Sequence, residues 1–427
     1  MASIKPKGMT LRSYQVGFGD CFLLSFHYDG GTHDRHVLID FGSTGQPKGS
    51  GDKLMLRVAE DIKKQCGGKL HAVVATHRHK DHISGFATNK NKTASGDIIA
   101  ACKPDVVIQP WTEHPDAKID ATEAPSNVTA KQSFVAALGN MHQLSEAILI
   151  ETERRKSMLG QGLYKELSFI GNDNLSNLSA VENLMKMGKR NFYLNFGSKS
   201  GLESVMPGVK IKVLGPPNLK QSSEIKVQRS KDEGEFWQFQ ALANQFVVRR
   251  KSGVFPRAKT YSPAGAPPFT RWLIKRMRSV RGEQLLSIVR ALDKVMNNTS
   301  LILLFEVNGT KLLFPGDAQI ENWSYALSKP AVRKLLSQVD VYKVGHHGSR
   351  NATPKTLWSG FKNRSTKKTN KPLKTFVSTM AGKHGKAASN TEVPRKTLVE
   401  ALQKDSDFHT TQTLKGKNIR LDFEITF

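Results

Sequence analysis

Apolar residues along this chain follow two alternating signatures: short β-rich runs that stop at Gly, Asp or Asn, and longer stretches with helical spacing. Leu11 to Phe26 and His36 to Phe41 are runs of the first kind, separated by the turn signal Asp29-Gly30-Gly31; they predict a hairpin that ends at Asp40-Phe41-Gly42. From Asp52 to Cys66 the period changes, because Leu54, Met55, Val58 and Ile62 share one helical face and Gly67-Gly68 follows as a stop. His71 to Ala75 then reads as a buried strand, and Asp105 to Ile108 repeats that pattern before Pro110. Phe134, Leu138, Met141, Leu144 and Ile148 trace a further helix face.

The second half echoes the first. Leu301 to Val307 and Lys311 to Phe314 are apolar strands joined by Asn308-Gly309, the strongest short hairpin signal, and they end at Pro315-Gly316-Asp317. Val339 to Val344 is one more strand, followed directly by Gly345-His346-His347-Gly348-Ser349. Two half-sheets with flanking helices predict an α/β protein of the αββα sandwich type, with polar residues delivered from strand ends.

Those polar residues are metal ligands by type. Thr76-His77-Arg78-His79-Lys80-Asp81-His82 places three imidazoles and one carboxylate just past a predicted strand. Side chains two apart in extended backbone point the same way, so His77 and His79 can share one ion. Asp81 and His82 point differently and can begin a second site, about 3.5–4 Å from the first as in two-metal centres. Asp317 and the pair His346/His347 supply further ligand types from the second half. Such a set accepts zinc, manganese or iron. The chain shows no G-x-S-x-G elbow and no P-loop.

Charge narrows the partner. The 427 residues contain 64 Lys and Arg against 37 Asp and Glu, a formal net charge of +27, whose field attracts polyanions. No acid occurs from Phe236 to Gly282, while Arg249, Arg250, Lys251, Arg271, Lys275 and Arg276 alternate there with aromatics such as Phe255, Tyr261, Phe269 and Trp272. That mixture suits phosphate contacts with base stacking. A second acid-free run, from Asn351 to Thr391, includes Lys367 and Lys368. Nucleic acid is the expected partner, with a solubilising surface or an anionic membrane as the plainer readings of such runs. The three cysteines, Cys21, Cys66 and Cys102, lack a C-x-x-C pairing and argue for a reducing compartment. No run of eighteen apolar residues occurs and Met1 to Lys7 has no apolar leader region, so the expected location is cytoplasmic, with no transmembrane segment.

In this order, HVLIDFG, THRHKDHISG, LLFPGDA and KVGHHGS resemble the metallo-β-lactamase superfamily. Within it, VGFGDCFLL, LGPP, NNTSLILLF and GHHGS resemble the cytoplasmic hydrolase domain of bacterial DNA-uptake competence proteins. The resemblance runs from Leu11 to Trp111 and from Val209 to Leu402. It leaves residues 112–207 and a basic stretch, 218–295, as insertions in a single enlarged domain spanning 1–427.

The resemblance implies two divalent ions, Zn or Mn. His77 and His79 would hold one; Asp81 and His82 would hold the other; Asp317 would be the bridging carboxylate and His347 a ligand. It gives catalytic roles to Asp81 and to His346, the latter as proton donor or supporting group, and makes Asp40 an orienting carboxylate. Two departures stand out. The family often supplies another histidine where only His114 and His142 lie, and Val393-Pro394 stands where the competence-like domains carry His-Pro, with His384 nearby as a substitute. The implied activity is a phosphodiesterase or nuclease cleaving DNA through a metal-activated hydroxide. Alternatives are hydrolysis of a small phosphoester, nucleotide, lactone or thioester, and a metal-stabilised nucleic-acid-binding protein without turnover. A nuclease this basic also suggests a controlling protein partner.

Overall fold

Alternate side chains of each buried strand point to opposite faces, so a strand that is apolar throughout must be covered on both sides. The computed structural model describes residues 4–29, 33–114, 178–222, 296–349, 353–365, 371–385, 392–414 and 418–427, with single positions 153, 156, 161 and 164. In chain order the elements are β1 (Gly8–Tyr14), β2 (Cys21–His27), β3 (Arg35–Phe41), α1 (Leu54–Gln65), β4 (Ala72–Val74), α2 (Lys80–Ile83), α3 (Ser95–Ala101) and β5 (Val106–Pro110). Then follow α4 (Leu178–Lys186), β6 (Arg190–Leu194), β7 (Lys210–Gly215), β8 (Ile302–Val307), β9 (Thr310–Phe314), α5 (Ile320–Ser328) and α6 (Pro330–Leu336). The last are β10 (Val341–Lys343), α7 (Lys355–Gly360), β11 (Lys374–Val377), α8 (Lys396–Asp405), β12 (Asp407–Thr410) and β13 (Arg420–Thr426).

Two mixed sheets result, in the orders β13-β1-β2-β3-β4-β5-β6 and β12-β11-β10-β9-β8-β7. Phe22, Leu24 and Phe26 of β2 meet Leu303, Phe305 and Phe314 in a core between the sheets. Cys21 and Leu23, on the other face of β2, pack with Val58 and Ile62 of α1 and with Ile99. In β8 the same division sends Ile302 and Leu304 outward, onto Trp323 of α5 and Leu336 of α6. The layers are therefore helices, sheet, sheet, helices. Each fully buried Leu, Val or Phe contributes roughly 1.5–3 kcal/mol, and among the described residues the inter-sheet core is the largest single apolar cluster.

The two sheets share a plan. β3 is antiparallel to β2 and parallel to β4, while β9 is antiparallel to β8 and parallel to β10. Several sequence expectations need correction. The run from Leu11 to Phe26 is two antiparallel strands, because the chain turns between Tyr14 and Cys21; at Gly17, with φ +85°, a side chain would strike the Gly45 carbonyl. Residues 178–207, assigned to the first insertion, supply α4 and β6, and β6 extends the first sheet beside β5. The helix face from Phe134 to Ile148 lies outside the described residues, as does nearly all of 218–295. Cys21, Cys66 and Cys102 are buried and free. Among the described residues no helix is long and apolar enough to cross a membrane.

Candidate metal centre

Strand ends deliver the site. Asp40 near the end of β3 has φ +54°, and His346 and His347, just beyond β10, have φ +44° and +53°. Left-handed backbone costs a non-glycine residue about 1–3 kcal/mol, and it persists only where surrounding contacts enforce it. Asp40 and His347 face the loop that follows β4, through Thr76, His82 and Asp81, while His346 turns to Asp317. That loop passes so close to Gly42 that a side chain there would meet the backbone of Asp81 and His82 at 2.5 Å. Within it the expected alternation holds: His77 and His79 turn one way, and Arg78 turns the other, to pair with Glu113 at 2.5 Å.

Two buried groups of ligand atoms converge there, Asp81/His82/Asp317/His347 and His77/His79/Asp81, beside a third, Asp20/Asp40/His82, in which His82 Nδ1 already pairs with Asp40 at 2.8 Å. In the first, Asp317 Oδ2 lies 3.1 Å from His82 Nε2 and 3.6 Å from His347 Nε2; Asp81 Oδ2 lies 3.9 and 2.8 Å from the same nitrogens. Ligands of a tetrahedral ion with bonds near 2.1 Å sit about 3.4 Å apart, so the spread fits a divalent ion. Hydrogen bonding leaves atoms of the same residues over: buried His82 Nε2 and Asp81 Oδ1 have no hydrogen-bond partner. These residues can hold a metal ion. The carboxylate common to both groups is Asp81, whereas Asp317, which the resemblance makes the bridge, belongs to the first group.

The histidine tautomers are set by neighbours. His82 Nδ1 donates to Asp40 Oδ2 at 2.8 Å, which turns Nε2 toward Asp317. His347 Nδ1 donates to the Ser378 carbonyl at 3.0 Å, which turns Nε2 toward Asp81. Thr76 Oγ1 donates to Asp40 Oδ2 at 2.7 Å, so His77 Nδ1, 3.2 Å away, must donate to Thr76 and leave a lone pair on Nε2. Asp40 thus orients one imidazole directly and a second through Thr76. Its Oδ1 in turn accepts Thr76 N–H at 2.7 Å, so both of its oxygens already have donors.

The site's field is strongly negative. Burial acts against the charged forms of Asp317 and Asp81, but the nearby histidines outweigh it and hold both carboxyls far below their usual range. Burial likewise opposes charge on His347, yet Asp317, Asp20 and Asp81 push its pKa up to about 10. Protons and a divalent ion therefore compete for the same nitrogens. His77 differs, because burial and then repulsion from His82 and His79 keep it neutral, as a ligand must be.

Two residues were not singled out by the sequence. Asp20, buried in the turn before β2, forms an ion pair with buried Lys343 of β10 and lies 3.5 Å from His347 Nδ1. Lys343 also lies 3.7 Å from Asp317 Oδ1 and donates to the Gly316 carbonyl, so it is a charge partner inside the site. Asn297, just before β8, is buried with its Oδ1 3.1 Å from His79 Nδ1. Asp20 and Asn297 stand in the stretches VGFGD and NNTS, but only the fold reveals their partners.

The remaining candidates fall as follows. His346 is outside both groups, partly exposed, with Nε2 3.8 Å from Asp317 Oδ2. His114 stacks against Tyr193 at 4.7 Å and is in neither group. His142 lies outside the described residues, as do Arg249, Arg250, Lys251, Arg271, Lys275, Arg276, Lys367 and Lys368. His384 bridges to Val393 and stacks on Phe18 at 4.2 Å, and Phe18 lies 4.4 Å from His347. No protein-family model matches the sequence, and no curated protein matches it significantly.

Proposed function

We propose that this chain is a metal-dependent hydrolase of the metallo-β-lactamase sandwich type, holding two divalent ions, Zn or Mn, and cleaving the phosphodiester bonds of DNA. The observation that carries the reading is the convergence of buried His77, His79, Asp81, His82, Asp317 and His347 at the strand ends of two sheets, with the tautomers of three of the histidines set from behind. Ions bound there would supply Lewis acidity, an activated water and charge neutralisation at the attacked phosphorus. The protein's own residues divide the remaining work. Asp81 is shared by both ligand groups, Asp40 orients His82 and His77, and His346, partly exposed beside Asp317, would hand a proton to a departing oxygen. The net charge of +27 favours a polyanionic substrate.

Incubating the purified protein with plasmid and single-stranded DNA, with Mn²⁺, Zn²⁺ or Mg²⁺ and beside His79→Ala, tests the reading. Metal-dependent cleavage that falls at least about 100-fold in the variant is expected, since even residues behind the ligands are worth 10–100-fold. Absence of metal-dependent cleavage, or equal cleavage by the variant, sinks it.

A further inference from the structure

We infer that Asn297 coordinates the ion held by His77 and His79, through its amide oxygen. The inference rests on the two-ion reading above and concerns the ion that lacks a third histidine. His79 Nδ1 lies 3.0 Å from His77 Nε2 and 3.1 Å from Asn297 Oδ1. His77 Nε2 carries a lone pair, because its Nδ1 hydrogen is committed to Thr76 Oγ1. An amide oxygen is also an acceptor. At most one hydrogen on His79 Nδ1 faces two acceptors, and if that nitrogen is unprotonated all three atoms oppose one another in a buried pocket. A divalent cation resolves both contacts together, since imidazole nitrogens and amide oxygens are ordinary ligands of such ions.

The placement is anchored rather than incidental. Asn297 is 2 % exposed, its carbonyl accepts Ser300 N–H at 3.1 Å, and Leu301 N–H bonds the Thr76 carbonyl at 2.9 Å. The start of β8 is thereby tied to the residue preceding His77. Two imidazoles, an amide oxygen and the shared Asp81 form a less negative set than Asp81, Asp317, His82 and His347. The His77/His79 ion is therefore the weaker of the two, and its oxygen ligands suit Mn²⁺ as well as Zn²⁺. The competing solution is a turned amide whose Nδ2 simply donates to His79.

Mn²⁺ titration of metal-free protein, read by calorimetry and by the EPR signal of unbound Mn²⁺, separates the two. The expected result is two ions for the wild type. Asn297→Ala should bind one ion as before and the second at least about 10-fold more weakly, whereas Asn297→Asp should hold both. Binding of a single ion by the wild type, or unchanged affinity for both ions in Asn297→Ala, overturns the inference. If Asn297→Ala does not fold, Asn297→Asp decides, because a carboxylate tightens a coordinated ion but merely loses the donor in the turned-amide case; weaker second-ion binding there overturns it. Two ions with the expected variant pattern but no DNA cleavage would remove the nuclease reading and leave this one standing.

Discussion

Asp40 and Asp317 follow the same plan in the two sheets, one inside the end of β3 and the other just past β9, where antiparallel pairing gives way to parallel, yet their surroundings differ. Asp40 receives Thr76 N–H on Oδ1, and Thr76 Oγ1 and His82 Nδ1 on Oδ2, so its hydrogen-bonding capacity on the site side is spent. Asp317 accepts one backbone N–H, from His346, on Oδ1, and directs Oδ2 at the Nε2 atoms of His82 and His347. A carboxylate that already has donors on both oxygens can position ligands, and one whose oxygen faces two imidazole nitrogens can serve as a ligand once a metal displaces their protons. Sequence position alone does not separate the two roles.

The largest expected effect tests that division. Asp317→Ala should abolish binding of the ion between His82 and His347 and lower DNA cleavage by at least about 1,000-fold, because the Lewis acid is worth several kcal/mol. Metal analysis after dialysis, together with the cleavage assay, reads both effects. Full metal content in this variant would remove Asp317 from the ligand set.

Each half also adds a second charge, Asp20 from the first and Lys343 from the second, and these meet each other across the site. Their side chains are at most 3 % exposed. Breaking such a buried pair from one side leaves an uncompensated charge and costs about 3–5 kcal/mol, while replacing both members is often close to neutral. Denaturant unfolding of Lys343→Met, Asp20→Asn and the double variant should therefore show strong non-additivity. Additive losses would mean that Lys343 is held by Asp317 instead, at 3.7 Å.

The legible and illegible parts of this molecule divide by sequence distance. Leu301 to Phe314 announced a hairpin because its apolar run and its Asn308-Gly309 turn are local, and β8 and β9 lie where that pattern put them. His77, His79, Asp81 and His82 were legible for the same reason, since one loop holds them all. β13 was not, because it joins the first sheet only by pairing with β1 across some four hundred residues. Asp20 and Asn297 have no meaning until Lys343 and His79 arrive beside them. The break between β1 and β2 is masked in the sequence by β-rich flanks that outweigh Gly17 and Gly19, although those glycines are the local sign of a turn.

If Asp40 is a positioning residue, its replacement should weaken both ions without removing either. Asp40→Asn keeps the shape but gives up one acceptor, and the expected cost is about 10–100-fold in metal affinity at unchanged stoichiometry. Both ions should respond, because Asp40 reaches His82 directly and His77 through Thr76. Loss of a whole ion from Asp40→Asn, as complete as in Asp317→Ala, would erase the distinction between the two aspartates.

Thr76 offers the finest probe, since it relays Asp40's influence to only one of the two ligand groups. Thr76→Val preserves volume, the backbone donation to Asp40 Oδ1 and the carbonyl bond to Leu301, but deletes the hydroxyl between Asp40 and His77. His77 then loses the acceptor that fixes its tautomer, while His82 keeps its own bond to Asp40. A net hydrogen bond of roughly 0.5–1.5 kcal/mol corresponds to a factor of about 2 to 10, felt by the His77/His79 ion alone. Thr76→Ser should recover that factor, because the hydroxyl returns. Equal weakening of both ions in a Mn²⁺ titration, or no recovery with serine, would show that Thr76 supports the loop as packing rather than as the wire from Asp40 to His77.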